Sequence, residues 1–413
     1  MKKGALKGMV RKVLFISDHG DPLAPLGSEQ AGGQNNYVRQ LALALESEGY
    51  AVDVVTHWNS LDTPQVERFG TACRVIRIAA GKHYFVQKNE MYRLIPAFFD
   101  EMSKTLNFKD YDVVHTHYWL SGLVGSFIKQ KWGIPWIHTN HSLGMAKRKA
   151  TGNTEALRLL TEKMILTSAD LIVVTTQSEK QLIREFIDNP APMKVIPIGV
   201  DKAFQANKPK LVVSPYFAFA GRLQTTKGIY TLLKAFELFI KDRPSTDRTK
   251  LIIAGGSESC ISPTNHLPKS PKLRMAIEGF NHKVEFLGPQ NQQQLARLFT
   301  NSIATIVPSY YESFGMVAAE AQACGSPVIA SKVGGLQNII MHGMTGLHVE
   351  HNNPFQLSQV MSTLLDKPHF TKKLGQRAAA YAREEFDWRV IAYKMARAYK
   401  GVANETKIVL AGD

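Results

Sequence analysis

One pattern constrains this chain more than any other. Short β-rich apolar runs alternate with helical stripes, and the alternation occurs twice. Val13–Ser17 is an apolar run followed by a polar, Gly-rich loop. The next stretch, 34-QNNYVRQLALALESEG-49, has apolar residues at Tyr37, Leu41 and Leu45, a helical spacing with Gly49 as its stop. Strand-like runs recur at Val52–Thr56, Val75–Ile78, Val113–Thr116, Trp136–His138 and Leu171–Thr175. Parallel strands need crossovers, and helices supply them, so the alternation predicts an α/β fold with a parallel sheet covered on both faces.

The alternation pauses at 188-DNPAPMKVIPIGVDKAFQANKPK-210, which reads as a Pro- and Lys-rich linker, and then restarts. The run 216-YFAFA-220 precedes a turn and the helical pattern 228-GIYTLLKAFELFI-240. Further strands are expected at Leu251–Ala254, Val284–Leu287, Ile303–Val307 and Val328–Ala330, a long polar loop at 256–272, and two helices over 370–400. A chain of 413 residues exceeds one ordinary core. Two Rossmann-like domains follow, residues 1–205 and 206–413, with the last helix expected to pack back on the first.

Charge and cysteines narrow the class. The net charge is +15, divided as +5 over residues 1–206 (25 basic, 20 acidic) and +10 over 207–413 (25 and 15). That suits anionic substrates or a basic solvated surface. No basic run is interleaved with stacking aromatics, so nucleic acid is not expected as a partner. An anionic membrane surface is allowed but not favoured, because no strongly amphipathic anchor stands near the N-terminus. Cys73, Cys260 and Cys324 are too few and too scattered for a disulfide framework, which fits a reducing, cytoplasmic setting. The basic start, 1-MKKGALKGMVRKVLFIS-17, lacks the long apolar stretch and cleavage site of a signal peptide.

Ligands of open parallel sheets bind beyond the carboxyl ends of the strands, so the loops there are the place to look for chemistry. After the first strand, Gly32 and Gly33 in 27-GSEQAGGQNNY-37 would let backbone amides approach a sugar or phosphate, although a tight turn is the plainer reading. After 216–220, Arg222 and Lys227 in 221-GRLQTTKG-228 put two cations at a helix start, which suits a diphosphate. The Walker glycine spacing and Lys-Ser/Thr pair are missing, so this is no P-loop. After Ile303–Val307 comes 308-PSYYESFGMVAAEAQACGSPVIAS-331, with Glu312 in the loop and Glu320 one turn into a helix from about Met316. A carboxylate repels an anion, so both glutamates should receive hydroxyls, as a ribose and a hexose would offer.

The run ESFGMVAAEAQACGSPVIASKVGG resembles the donor-site signature of the retaining glycosyltransferases of family 4. AGGQNNYV, VVHTHYWLSGLVG, HTNHSLG, GRLQTTKG and the terminal FDW resemble other motifs of that family, in the family's order. The resemblance implies the GT-B fold, two Rossmann-like domains facing across a cleft. It also implies a metal-independent hexosyltransferase with no cofactor beyond its UDP-sugar substrate. The nearest thing to a metal-binding DxD is 110-DYD-112, read as the start of the strand at Val113.

Carried over by motif, the catalytic residues would be His141, Arg222, Lys227 and Glu312. Arg222 and Lys227 would hold the donor diphosphate, Glu312 the transferred sugar, and Glu320 the ribose. Gly32, Gly33 and the amides of Phe314, Gly315 and Met316 would complete the donor site. His141 would stand near the sugar's C6 hydroxyl and the anomeric centre; by itself a His on this loop could equally be structural, as could His115, His117 and His138. The first half is most similar to sucrose-phosphate synthases and to the D-inositol-3-phosphate glycosyltransferases. Asn35, Lys88, Tyr118, Ser142 and Arg158 fall at their acceptor positions, and Lys88 with Arg158 would suit a monophosphate. The implied reaction moves glucose or a similar hexose from UDP to a small phosphorylated acceptor, with fructose 6-phosphate as first candidate. Inositol phosphate, a lipid or a polysaccharide are the alternatives.

Overall fold

The computed structural model describes residues 11–24, 32–81, 83–84, 86–206, 214–244, 246–256, 260–262 and 267–412. The chain divides into two compact units. The first takes the chain up to Thr175, then Lys180–Gly199, and the segment from Trp388 onward. The second takes Thr176–Glu179 and Val200–Asp387.

Among the described residues the first unit holds eight strands: β1 Arg11–Ile16, β2 Tyr50–His57, β3 Val66–Arg68, β4 Cys73–Ile78, β5 Val113–His117, β6 Trp136–Thr139, β7 Leu171–Val174 and β8 Met193–Val195. Their order is β3-β4-β2-β1-β5-β6-β7-β8, parallel except for the antiparallel edge strand β3. β5 lies inside the sheet and all five of its residues are buried, as a strand covered on both faces requires. The helix Gly33–Glu46 lays Tyr37, Val38, Leu41 and Leu45 on Val13, Phe15, Val52 and Val54 of the sheet. The last helix, Trp388–Gly412, adds Ile391, Met395, Tyr399 and Val402 to the same core, spaced along one helical face.

The second unit holds β9 Tyr216–Ala220, β10 Lys250–Ala254, β11 Val284–Gly288, β12 Thr305–Val307, β13 Val328–Ser331 and β14 Gly346–Val349. The order is β11-β10-β9-β12-β13-β14, all parallel. The edge strand β11 alternates buried and exposed residues, so one of its faces meets solvent. The helix Ile229–Lys241 packs Ile229, Leu232, Leu233, Phe236 and Phe239 onto Phe217, Phe219 and Leu251. Two parallel-sheet units are what the alternation predicted.

Three details differ from the sequence expectation. The start of the supposed linker is β8, which pairs in parallel with β7 through Ile172, Val173 and Val174. Its prolines flank the strand rather than interrupt it, and an edge strand needs its hydrogen bonds on one side only. β12 is shorter than 303–307, although Ile303 N–H still donates to Tyr216 O at 2.9 Å. The loop at 256–272 lies partly outside the described residues; within it Ile261 bridges Pro268, and a helix starts at Pro271. In 110-DYD-112, just before β5, the Asp112 carboxylate accepts the Lys12 backbone N–H at 2.9 Å.

Candidate active site

In the second unit the groups converge beyond the carboxyl ends of β9 and β12. The β9 loop turns through a short 3-10 segment, Thr225–Lys227, and enters its helix at Gly228. Gly228 has φ +71°, and a Cβ there would stand 1.9 Å from Pro308 O. Only glycine lets the cation loop pack so closely on the loop after β12. Tyr310 N–H then donates to Thr226 O at 2.9 Å, fastening one loop to the other.

This packing brings Lys227 to Glu312. Lys227 Nζ and Glu312 Oε1 form a half-buried ion pair, and Ser309 Oγ donates to the same oxygen at 3.1 Å. Arg222 is exposed and makes no ion pair among the described residues. The loop bearing Glu312 is braced from behind by Gly334 and Gly335. Gly335 N–H donates to Glu312 O at 2.8 Å, and a Cβ on Gly334 would come within 2.2 Å of that oxygen. Gly315 caps the helix Met316–Ala323, whose first amides point out of the helix without intrahelical partners. The Phe314 ring is 2% exposed and packs edge-on to Phe386, so this residue has only its backbone to offer a ligand.

Glu320 lies in that helix, partly buried. Burial, with Asp201 nearby, pushes its carboxyl up to about 8. A glutamate that holds its proton at neutral pH without a cation beside it is a candidate for hydroxyl recognition.

In the first unit the residues gather where β1, β5 and β6 end. Gly32 and Gly33 open the helix after β1, and a Cβ on either would meet nothing within 4 Å. Asn35 is buried and fixed, accepting from Gly32 N–H at 3.1 Å and donating to Asp21 O at 2.8 Å. Tyr118 follows β5 and His141 follows β6, and both have left-handed backbones (φ 76° and 57°). Non-glycine residues are seldom found there, and such strain collects at functional sites. His141 Nε2 lies 3.0 Å from His117 Nδ1.

Arg158 is no surface charge. It is 8% exposed, with its guanidinium 5.0 Å from the Tyr118 ring centroid. Its Nε donates to Glu162 Oε1 at 2.7 Å, and its Nη2 to Ser142 O and Oγ at 2.8 and 3.1 Å. Glu162 also accepts from Gly144 N–H at 2.9 and 2.8 Å. Burial raises the Glu162 carboxyl and Arg158 pulls it back down. Arg158 is thus tied to the loop that carries His141 and Ser142, with Nη1 left over among the described residues. Lys88 opens a short helix, Lys88–Met91, and its side chain lies outside what is described.

Several contributors were not singled out from the sequence. Glu162 was discoverable, since it stands four residues after Arg158 on one helix. Ser309 and the doubled glycine 334–335 bracket Glu312 and lie in or beside the motif that carries it. A further polar group carried no local signal: Asp18 accepts from Ser121 Oγ at 2.6 Å and lies 3.1 Å from His19 Nδ1.

Residues 31–204 match the model "Glycosyltransferase Family 4", and residues 201–384 match "Glycosyl transferases group 1". The chain is 34% identical to a D-inositol 3-phosphate glycosyltransferase of Corynebacterium glutamicum, over 95% of this chain and 98% of that protein. It is 32% identical to the one from Thermobispora bispora, over 96% of each. Among solved structures it is similar to a sucrose-phosphate synthase from Thermosynechococcus elongatus, with a TM-score of 0.82 and 32% identity over 95% of this chain and 99% of that one.

Proposed function

The chain belongs to the glycosyltransferases of family 4, with the GT-B fold, and we propose that it moves a hexose, glucose first, from UDP to a hydroxyl of a small phosphorylated acceptor, with retention at the anomeric carbon. Arg222 and Lys227 would receive the diphosphate and neutralise the charge that grows on it as the glycosidic bond breaks. Glu320 would take the ribose hydroxyls. The amides of Gly315 and Met316, with Glu312, would hold the sugar, and His141 would stand by its C6 hydroxyl. In front-face retention the departing phosphate accepts the acceptor's proton, so no carboxylate nucleophile is assigned. That contrasts with glycosidases, which place two carboxylates across the bond. The cations do the work a metal would do, so transfer should proceed in excess chelator.

The observation that carries the acceptor class is Arg158, a guanidinium buried between Ser142 and the Tyr118 ring with Nη1 left over. A buried cation of this kind is suited to a phosphate. Fructose 6-phosphate is the first acceptor to test, since 141-HSLG-144 resembles the sucrose-phosphate synthase version of this loop. Inositol 3-phosphate is the second reading, favoured by the named activity of the relatives at 32–34% identity. We place the reaction in the cytoplasm, and no described helix is long and apolar enough to cross a membrane.

The test is a matrix of UDP- and ADP-hexoses against fructose 6-phosphate, inositol 3-phosphate and their unphosphorylated parents, read by mass spectrometry. NMR of the product gives its anomeric configuration. Preference for an unphosphorylated or lipid acceptor would refute the small-phosphate reading, and an inverted product would refute retention.

A further inference from the structure

Four histidines crowd the carboxyl ends of β5 and β6, and they are not equivalent. His115 uses both ring nitrogens, with Nδ1 2.8 Å from the Tyr399 hydroxyl and Nε2 2.8 Å from Thr139 Oγ1. His138 Nδ1 meets Thr116 Oγ1 at 2.8 Å. His117 instead turns its Nδ1 to another imidazole, His141 Nε2, at 3.0 Å. Its ring cannot swing away. It is wholly buried, with ring centroids of His115 at 4.3 Å, Phe15 at 4.9 Å and Tyr37 at 5.9 Å.

A hydrogen bond between two imidazoles needs one N–H and one lone pair, so the tautomers are linked. Burial and the neighbouring histidines keep His117 neutral, holding its pKa well below the usual range. Its single N–H therefore sits on Nδ1 or on Nε2. Nε2 is buried and has no partner among the described residues. A proton there would be an orphaned buried donor, the rarer and costlier kind of unsatisfied group. A proton on Nδ1 is used at once, in the bond to His141. The neutral His141 ring then accepts at Nε2 and carries its own N–H on Nδ1.

We infer that His117 is a positioning residue: its Nδ1–H fixes the orientation of the His141 ring and leaves the His141 N–H on Nδ1. A second, independent feature supports a functional role. The two residues that follow the strand ends here, Tyr118 and His141, are non-glycine residues in left-handed conformations. Strain of this kind persists where the surroundings impose it, and the strained His141 is the residue whose ring His117 meets at 3.0 Å. The positioning of the ring stands on geometry alone; its effect on turnover rests on the glycosyl-transfer reading above.

Two measurements test it separately. Long-range ¹H–¹⁵N spectra of ¹⁵N-histidine-labelled full-length protein report each tautomer, with His117 assigned by loss of its signals in His117→Asn. The expected result is a neutral His117 protonated on Nδ1 and a His141 protonated on Nδ1. A His117 protonated on Nε2 overturns the inference, whatever the enzyme's substrate.

The kinetic arm compares His117→Leu with His117→Asn, whose amide N–H can stand near the former Nδ1. His117→Leu should lower kcat by roughly tenfold to a hundredfold, typical for loss of a group that orients another, with UDP affinity unchanged within about twofold. His117→Asn should recover most of that loss. Equal damage from both variants, or none from Leu, refutes the positioning role. If the wild-type protein transfers no sugar at all, the functional reading fails while the tautomer result still stands or falls on its own.

Discussion

Lys227 and Glu312 stand 85 residues apart in sequence and form an ion pair at the mouth of the second sheet. The pairing gives the free protein a compensated charge where the donor's diphosphate is proposed to bind. UDP must therefore draw Lys227 away from Glu312, or share it. Glu312→Gln removes the competitor, so UDP affinity should rise by several-fold, about 1 kcal/mol for a half-exposed pair. Transfer should fall in the same variant, because the carboxylate proposed to hold the sugar is gone. Calorimetry and turnover on one preparation give both signs, and weaker UDP binding would show that Glu312 supports the nucleotide.

Lys227→Ala should behave differently. Leaving-group charge is larger in the transition state than in the bound donor, so turnover should suffer more than UDP binding. A loss in kcat of roughly a hundredfold is typical for removal of such an electrostatic group. Equal losses in affinity and turnover would make Lys227 a binding residue only.

Glu320 gives a pH signature. Its folded pKa is raised to about 8 by burial, with Asp201 nearby. Between its ordinary value and about 8 the folded protein keeps a proton that the unfolded chain releases, so its contribution to stability falls as pH rises through that window. Glu320→Gln should remove this fall and be the more stable protein at pH 9, as measured by denaturant titration. Ribose hydroxyls donating to the carboxylate would favour its charged form. UDP binding at pH 7 should then release a proton, and affinity should grow up to about pH 8. Calorimetry in buffers of different ionisation enthalpy reads that proton directly, and a wild-type signal identical to that of Glu320→Gln would place the ribose elsewhere.

What could be read ahead of the structure follows from the range of the interactions. The strand, turn and helix that carry Arg222, Lys227, Glu312 and Glu320 are local, so their motifs and the α/β alternation were legible. β8 was not, because Pro190, Pro192 and Pro197 around it look like a linker until β7 supplies its hydrogen bonds. The Lys227–Glu312 and His117–His141 pairs were also hidden, since each joins segments distant in sequence that only the sheet brings together. Arg158 was named as a cation, but its burial depends on Tyr118 and Ser142 from other segments.

That burial makes Arg158 the strictest test of the proposed acceptor site. Arg158→Ala should raise the acceptor KM tenfold or more, because charge-assisted hydrogen bonds contribute about 1.5–3 kcal/mol each. It should also narrow the preference for phosphorylated over unphosphorylated acceptors and leave UDP affinity nearly unchanged. The same change strips Glu162 of its cation, and breaking a buried pair of this kind costs about 3–5 kcal/mol. Without Arg158 the Glu162 carboxyl should rise further and take up a proton, so the variant should lose stability as pH increases. The double variant Arg158→Met with Glu162→Gln separates the two effects. Removing both charges should restore most of the lost stability, measured by thermal unfolding, while acceptor KM stays high. If KM recovers along with stability, Arg158 serves the fold and the acceptor's phosphate is held by other groups.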